Sequence, residues 1–263
     1  MEDLDRDRSR ERFVESQLAD LEALGLDWDG ELPPQSERAD AYEEAVERLR
    51  AGGLVYECFC TRAEIREAVS APHGELPEGA YPGTCLTLSE AERRARAAER
   101  PAALRVRAGA ERIEFTDRVC GPQEGAVDDF VVRRNDGAHG YNLAVALDDA
   151  EQGIGEVVRG RDLLDSTARQ LWIQRRLGLE EVASWAHVPL VLGSDGRRLA
   201  KRHGDVTLGE RLARGQAAEE LVGELAASLG LWPEGEPARP TELVARFDPE
   251  SVPRADTRIA ARA

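Results

Sequence analysis

Lysine occurs once in this chain, at Lys201, although its 263 residues include 35 lysines and arginines together. It sits in Arg198-Leu199-Ala200-Lys201-Arg202-His203-Gly204, after an apolar run and a Gly-rich turn, where α/β proteins place ligand loops. A compact ammonium on a flexible stem follows a phosphate through a reaction, and a planar guanidinium does not simply replace it. Every other basic position is arginine, so the one retained lysine points to phosphate chemistry. Taken alone it is equally compatible with the chance survival of a surface residue. The second group is Cys58-Phe59-Cys60, followed by Tyr81 and Cys85. Two thiolates one residue apart reach the same ion, and a distant cysteine closes a tetrahedron around it. Spacing alone leaves zinc and reduced, unliganded cysteines both open. Cys120 lies outside the pattern and is expected to be simply buried.

These residues need a scaffold, and apolar periodicity outlines one. Helical spacing runs through Phe13, Val14, Leu18 and Leu21 to Gly25, and again through Val46 and Leu49 to Gly52-Gly53. Strand patterns follow at 55–59, 103–107, 112–116 and 130–134, the last turning at Asn135-Asp136-Gly137, with a charged helix over 89–100. Residues 70–82, rich in proline and glycine, read as loop. From Tyr141 the pattern alternates: a helix through Leu143, Ala144 and Leu147, a strand at 156–159, a helix over 166–177 stopped by Gly178, and a strand at 188–192. Alternation of this kind predicts a parallel α/β sheet. Helices through Leu221, Val222, Leu225 and Leu229 and over 241–247 complete the chain.

A net charge of -16 excludes binding nucleic acid through bulk positive charge. Arginines and the lysine gather at 169–176 and 197–202, which leaves room for a local nucleotide or RNA surface, although such runs are more often solvated faces. No apolar run approaches the roughly 18 residues of a membrane helix. The first twelve residues are mostly charged. A cytoplasmic protein without a signal peptide or membrane span is therefore expected, and its four cysteines are read as metal ligands or buried thiols, not disulfides.

The segment from His187-Val188-Pro189-Leu190-Val191-Leu192 to Lys201-Arg202 resembles the second signature of the class I aminoacyl-tRNA synthetases, in particular the glutamyl type. Tyr141-Asn142-Leu143-Ala144-Val145-Ala146-Leu147-Asp148-Asp149, Val157-Val158-Arg159-Gly160-Arg161-Asp162-Leu163-Leu164, Glu2-Asp3-Leu4-Asp5 and Leu26-Asp27-Trp28-Asp29-Gly30 resemble further blocks, in the family's order. The resemblance implies a Rossmann-like α/β catalytic domain with a zinc-bearing α+β insert and a helical C-terminal segment. The expected divisions are 1–50 and 141–206 for the two parts of the catalytic domain, 51–140 for the insert and 207–263 for the tail. It implies that Lys201 steadies the triphosphate of ATP, carried with Mg2+, while the amino acid carboxylate attacks the α-phosphate. It also implies that Arg159, Tyr141 and Glu2 contact glutamate, Glu2 through the amino group. The glutamyl-queuosine branch of the family carries zinc on Cys-x-Cys and Tyr-x-x-x-Cys, which implies Cys58, Cys60, Tyr81 and Cys85 as ligands; His73, in the loop between, competes with Tyr81 for the fourth place.

No anticodon-binding domain is expected after the catalytic blocks. The resemblance therefore implies glutamate activation without tRNA and transfer to the queuosine base of tRNA(Asp), by a monomer. Two other readings stay open: a fragment of a glutamyl-tRNA synthetase that charges tRNA(Glu), and a non-catalytic zinc-binding remnant. The family's first strand and its His-Ile-Gly-His type signature helix have no counterpart here. The histidines are His73, His139, His187 and His203, and none pairs at that spacing. Met1, the only methionine, stands where the family has Ile or Val, so the start is expected to be placed too far downstream. A sheet lacking that strand is expected to expose apolar surface at an open edge.

Overall fold

A computed structural model describes residues 1–5, 9, 11–69, 81–193, 195–197 and 207–258. Lys201 and His73 lie outside the described residues. Helix α1 (Glu11–Ala23) follows the expected periodicity, yet none of its residues is buried. Helix α2 (Ala39–Ala51) sets Tyr42, Ala45, Val46 and Leu49 into the core. Strand β1 (Val55–Cys58) is followed by a helix that the sequence pattern did not suggest, α3 (Arg62–Val69). Helix α4 (Glu90–Glu99) starts on a reciprocal cap, in which the Ser89 hydroxyl accepts from the Glu92 N–H and the Glu92 carboxylate accepts from the Ser89 N–H.

Strand β2 (Ala103–Val106) pairs antiparallel with β1 and with β5 (Val131–Arg133), which makes a three-stranded sheet. Between β2 and β5 lie β3 (Arg112–Asp117) and β4 (Gly121–Ala126), an antiparallel pair belonging to a different sheet. Helix α5 (Tyr141–Glu151) leads to β6 (Glu156–Gly160), α6 (Leu164–Leu177) and β7 (Ser184–Val188). The second sheet has the order β4-β3-β7-β6, with β7 parallel to both β3 and β6. The unit β6–α6–β7 is thus a parallel crossover, as the alternating pattern implied. The span 51–140 contributes strands to both sheets.

Two strands differ from the pattern. The run centred on Val188–Leu192 divides at Pro189, which has no N–H for a ladder; the main strand lies earlier, in Ser184-Trp185-Ala186-His187-Val188, and only β8 (Val191–Leu192) follows. Strand β4 is spelled Gly-Pro-Gln-Glu-Gly-Ala and reads as a turn; it survives because it is an edge strand, where Pro122 breaks nothing. At the opposite edge, β6 leaves Val158 64% exposed. Helix α6 ends at Gly178, which at φ 63° takes the left-handed turn that closes a helix.

One core cluster joins α2, β2, β3, α5, α6 and β7, with Tyr42, Ile113, Leu143, Trp172, Ile173 and Trp185 in it. A smaller cluster gathers Tyr56, Cys58, Phe59, Tyr81 and Cys85. Past the signature loop come α7 (Leu208–Ala213), α8 (Ala218–Ser228) and α9 (Pro240–Val244), and β9 (Thr257–Arg258) returns to pair with β8.

Candidate active site

Arg159 stands on β6, next to β7 in the parallel sheet, and faces α6. Its donors are met one by one. Nε donates to His187 Nε2 at 3.0 Å, Nη1 to Gln170 Oε1 at 2.9 Å, and Nη2 to Thr167 Oγ1 at 3.0 Å and to the Leu163 carbonyl at 3.3 Å. The guanidinium also lies 5.0 Å over the Trp185 ring. Each of these acceptors is neutral. Burial pulls the Arg159 pKa below its ordinary value, and Tyr141 and Asp149 work against that.

Tyr141, the first residue of α5, is in side-chain hydrogen-bond contact with Arg159, and burial raises its phenol above the usual range. Asp149, two helical turns along α5, comes to the same place and is half-buried; burial pushes its carboxyl up to about 6, with Arg159 opposing. Glu2 joins them. Its carboxyl is raised by the surrounding protein, with the chain's amino terminus and Arg159 opposing, but the side chain is still exposed and solvent screens the effect. The three glutamate-contact residues expected from the sequence are therefore neighbours in space, drawn from the N-terminal segment, α5 and β6. An arginine whose hydrogen-bond partners are neutral, a phenol and two carboxylates form a cluster of mixed sign, suited to a molecule that carries both an ammonium and a carboxylate.

Sequence reading missed Asp149, Thr167, Gln170, His187 and Asp117. A signal existed on α6: Thr167, Gln170 and Gln174 are polar, yet they occupy the helix's buried positions beside Ala168 and Leu171. Polar side chains at core positions require partners. Nothing local marks Asp117, which meets His187 across 70 residues.

The second site lies at the end of β1. The Tyr81 hydroxyl is 3.4 Å from both Cys58 Sγ and Cys60 Sγ, and Cys60 Sγ is 3.4 Å from Cys85 Sγ. The three sulfurs lie within 4.8 Å of one another. The Cys85 N–H donates to the Tyr81 oxygen at 2.8 Å, and the Phe59 N–H points at Cys85 Sγ at 3.4 Å. Burial pushes the Cys60 thiol up to about 12 and raises the Tyr81 phenol further. Burial also opposes ionisation of Cys85, but hydrogen bonds from Tyr81 and the Phe59 N–H outweigh it and hold that thiol below the ordinary value. Three sulfurs and a phenol oxygen converging on one point fit a four-coordinate, sulfur-seeking metal ion. Buried Arg105, absent from the sequence reading, lies 3.9 Å over the Tyr81 ring and donates from Nη1 to the Asp129 carbonyl at 2.7 Å. Cys120 stands apart and half-buried; its Sγ approaches the His187 carbonyl at 3.7 Å.

The architecture and the order of the blocks converge on one class. Residues 1–236 match the family of class I tRNA synthetases (E and Q), catalytic domain, and the chain belongs to that family. It is 53% identical over 251 residues to the glutamyl-Q tRNA(Asp) synthetase of Nocardia farcinica, covering 95% of this chain and 78% of the relative. With the protein of the same name from Symbiobacterium thermophilum it shares 50% over 274 residues, covering 99% and 84%. Within the family, then, the chain groups with the glutamyl-Q tRNA(Asp) synthetases. The fold is similar to that of a glutamate tRNA ligase from Elizabethkingia meningosepticum, with a TM-score of 0.76 at 24% identity over 99% of this chain and 60% of the other. Among the described residues no helix is long and apolar enough to cross a membrane.

Proposed function

We propose that this chain is a ligase that activates glutamate with ATP, without tRNA, and transfers it to the queuosine base of tRNA(Asp). The observation that carries the proposal is the cluster around Arg159, in which a half-buried cation hydrogen-bonded to neutral acceptors meets Tyr141, Glu2 and Asp149. Glutamate offers one carboxylate for Arg159 and an ammonium for the acidic side of the cluster, and Glu2 is the residue we assign to that ammonium. The names of the curated relatives supply the acceptor, the tRNA for aspartate, and point away from charging at a 3' end. A free carboxylate oxygen of the bound glutamate attacks the α-phosphorus of ATP, pyrophosphate leaves, and the glutamyl group then passes to the tRNA base while AMP leaves. Lys201 is assigned to the triphosphate, brought as its Mg2+ complex, where a mobile ammonium stabilises the charge that builds on the leaving pyrophosphate.

Cys58, Cys60, Tyr81 and Cys85 are assigned to one zinc ion. With all four positions taken by protein, zinc would supply cross-linking of the insert and no chemistry at the substrate.

Glutamate-dependent pyrophosphate exchange in the absence of tRNA tests the activation step. The expected result is exchange that Lys201→Ala abolishes, and glutamyl transfer to queuosine-containing tRNA(Asp) but not to unmodified tRNA(Asp). Charging of tRNA(Glu) at its 3' end would replace the proposed acceptor, and absence of exchange would end the enzyme reading.

A further inference from the structure

His187 is fully buried and belongs to no role described so far, although it touches Arg159 directly. Its ring is committed on both sides. Nδ1 lies 2.6 Å from Asp117 Oδ2, and Nε2 faces the Nε–H of Arg159 at 3.0 Å and the Thr167 hydroxyl at 3.3 Å. Arginine has no acceptor, so Nε2 must present its lone pair, and the ring proton must sit on Nδ1, directed at the carboxylate. Asp117 is immobilised in turn. Its Oδ1 accepts from the N–H groups of Val119 at 3.0 Å and Cys120 at 2.8 Å, and the carboxylate also accepts from the His187 N–H at 3.1 Å. Trp185, one pleat away on β7, stacks on the imidazole at 6.3 Å with 12° between the planes, and also lies under the Arg159 guanidinium.

We propose that His187, fixed by Asp117, is a positioning residue for glutamate recognition: as a neutral acceptor it orients Arg159 beside Tyr141 and Asp149 while leaving that cation's charge for a carboxylate of the substrate. A carboxylate in direct contact with Arg159 would hold the guanidinium more tightly, but it would neutralise the charge that the substrate has to meet. Interposing an imidazole puts the anion, Asp117, one ring away from Arg159. The arrangement has the logic of a second residue orienting a histidine through its other nitrogen. Here the oriented histidine holds an arginine. Burial lowers the His187 pKa, with Asp117 opposing and Arg159 reinforcing, which agrees with a neutral ring.

The inference rests on the proposed contact between Arg159 and glutamate, so the test separates the two. Glutamate and ATP affinities are measured by titration calorimetry on the full chain as wild type, Arg159→Ala, His187→Ala and His187→Gln. Losing one charge-assisted hydrogen bond that orients Arg159 is expected to weaken glutamate binding by roughly tenfold to a hundredfold in His187→Ala, with ATP affinity unchanged. His187→Gln retains an acceptor toward Arg159 and is expected to recover most of that loss. Weakening by Arg159→Ala but not by His187→Ala overturns the inference and leaves the proposed function standing. If neither weakens binding, or the wild type does not bind glutamate, the proposed contact fails and takes the inference with it. Should His187→Ala not fold, nitrogen NMR of the histidine rings in the wild type decides: a neutral ring protonated on Nδ1 supports the assignment, and one protonated on Nε2 or on both nitrogens refutes it.

Discussion

Substituting Gly125 by alanine would test whether the seating of α6 on the sheet sets the geometry around Arg159. Gly125 lies on β4 opposite Ile113, and a Cβ built there falls 2.7 Å from the Ala168 Cβ on α6. Carbon atoms in contact sit about 3.5–4.0 Å apart, so α6 must move away from β4 by about 1 Å. Both atoms are methyls on short, rigid stems, and neither can swing aside. Overpacking of this kind destabilises by about 1–3 kcal/mol, which for a chain of this size lowers Tm by roughly 2–4 °C per kcal/mol. Ala168 sits between Thr167 and Gln170, two of the acceptors that hold Arg159, so the same displacement loosens the guanidinium. Misplacing a binding group by about 1 Å weakens its function by up to about a hundredfold. The assay is a double-mutant cycle in Tm and in glutamate affinity with Ala168→Gly, which restores the space while itself destabilising mid-helix by about 1 kcal/mol. The expected outcome is a double mutant that binds glutamate like the wild type and melts above Gly125→Ala. Strictly additive effects on both readouts would falsify the claim that this contact sets the position of α6.

Metal content measured after purification is expected near one equivalent of zinc in the wild type, to vanish in Cys85→Ser and to persist in Cys120→Ser, whose sulfur is outside the cluster; equal content in the two variants rules out the assigned ligands. The raised Asp149 carboxyl makes stability depend on pH. Because its folded pKa, about 6, lies above the ordinary value of 3.8, its contribution to stability is complete below about 3.8 and is lost as the pH rises through about 6. Asp149→Asn is therefore expected to raise Tm at pH 8 and to flatten Tm between pH 4 and 7, while weakening glutamate binding; a variant less stable at pH 8 contradicts the assignment of burial as the cause.

Much of the scaffold was legible because its signals are local. Helix α6 stops where Gly178 permits a left-handed turn, α4 starts where Ser89 and Glu92 can cap each other, and β6–α6–β7 announces itself by alternating periods. Strand β7 was misplaced by four residues because Ser184 and His187 look unsuited to a buried strand, and only Asp117 makes His187 acceptable there. Strand β4 was invisible because its composition is that of a turn, and its pairing partner supplies the ladder that its residues do not favour.

The sequence by itself determined which chemical groups this protein has available: one lysine, a Cys-x-Cys pair with a distant tyrosine and cysteine, and an arginine and tyrosine set in ordered blocks. Those are properties of residue type and spacing. Only the tertiary structure decided what each group meets. Asp117 and His187 are 70 residues apart, and Glu2, Tyr141, Asp149 and Arg159 come from three separate segments. The strength of a hydrogen bond, the tautomer of an imidazole and the charge on a carboxyl depend on burial and on neighbours brought together by folding, and no spacing along the chain encodes them.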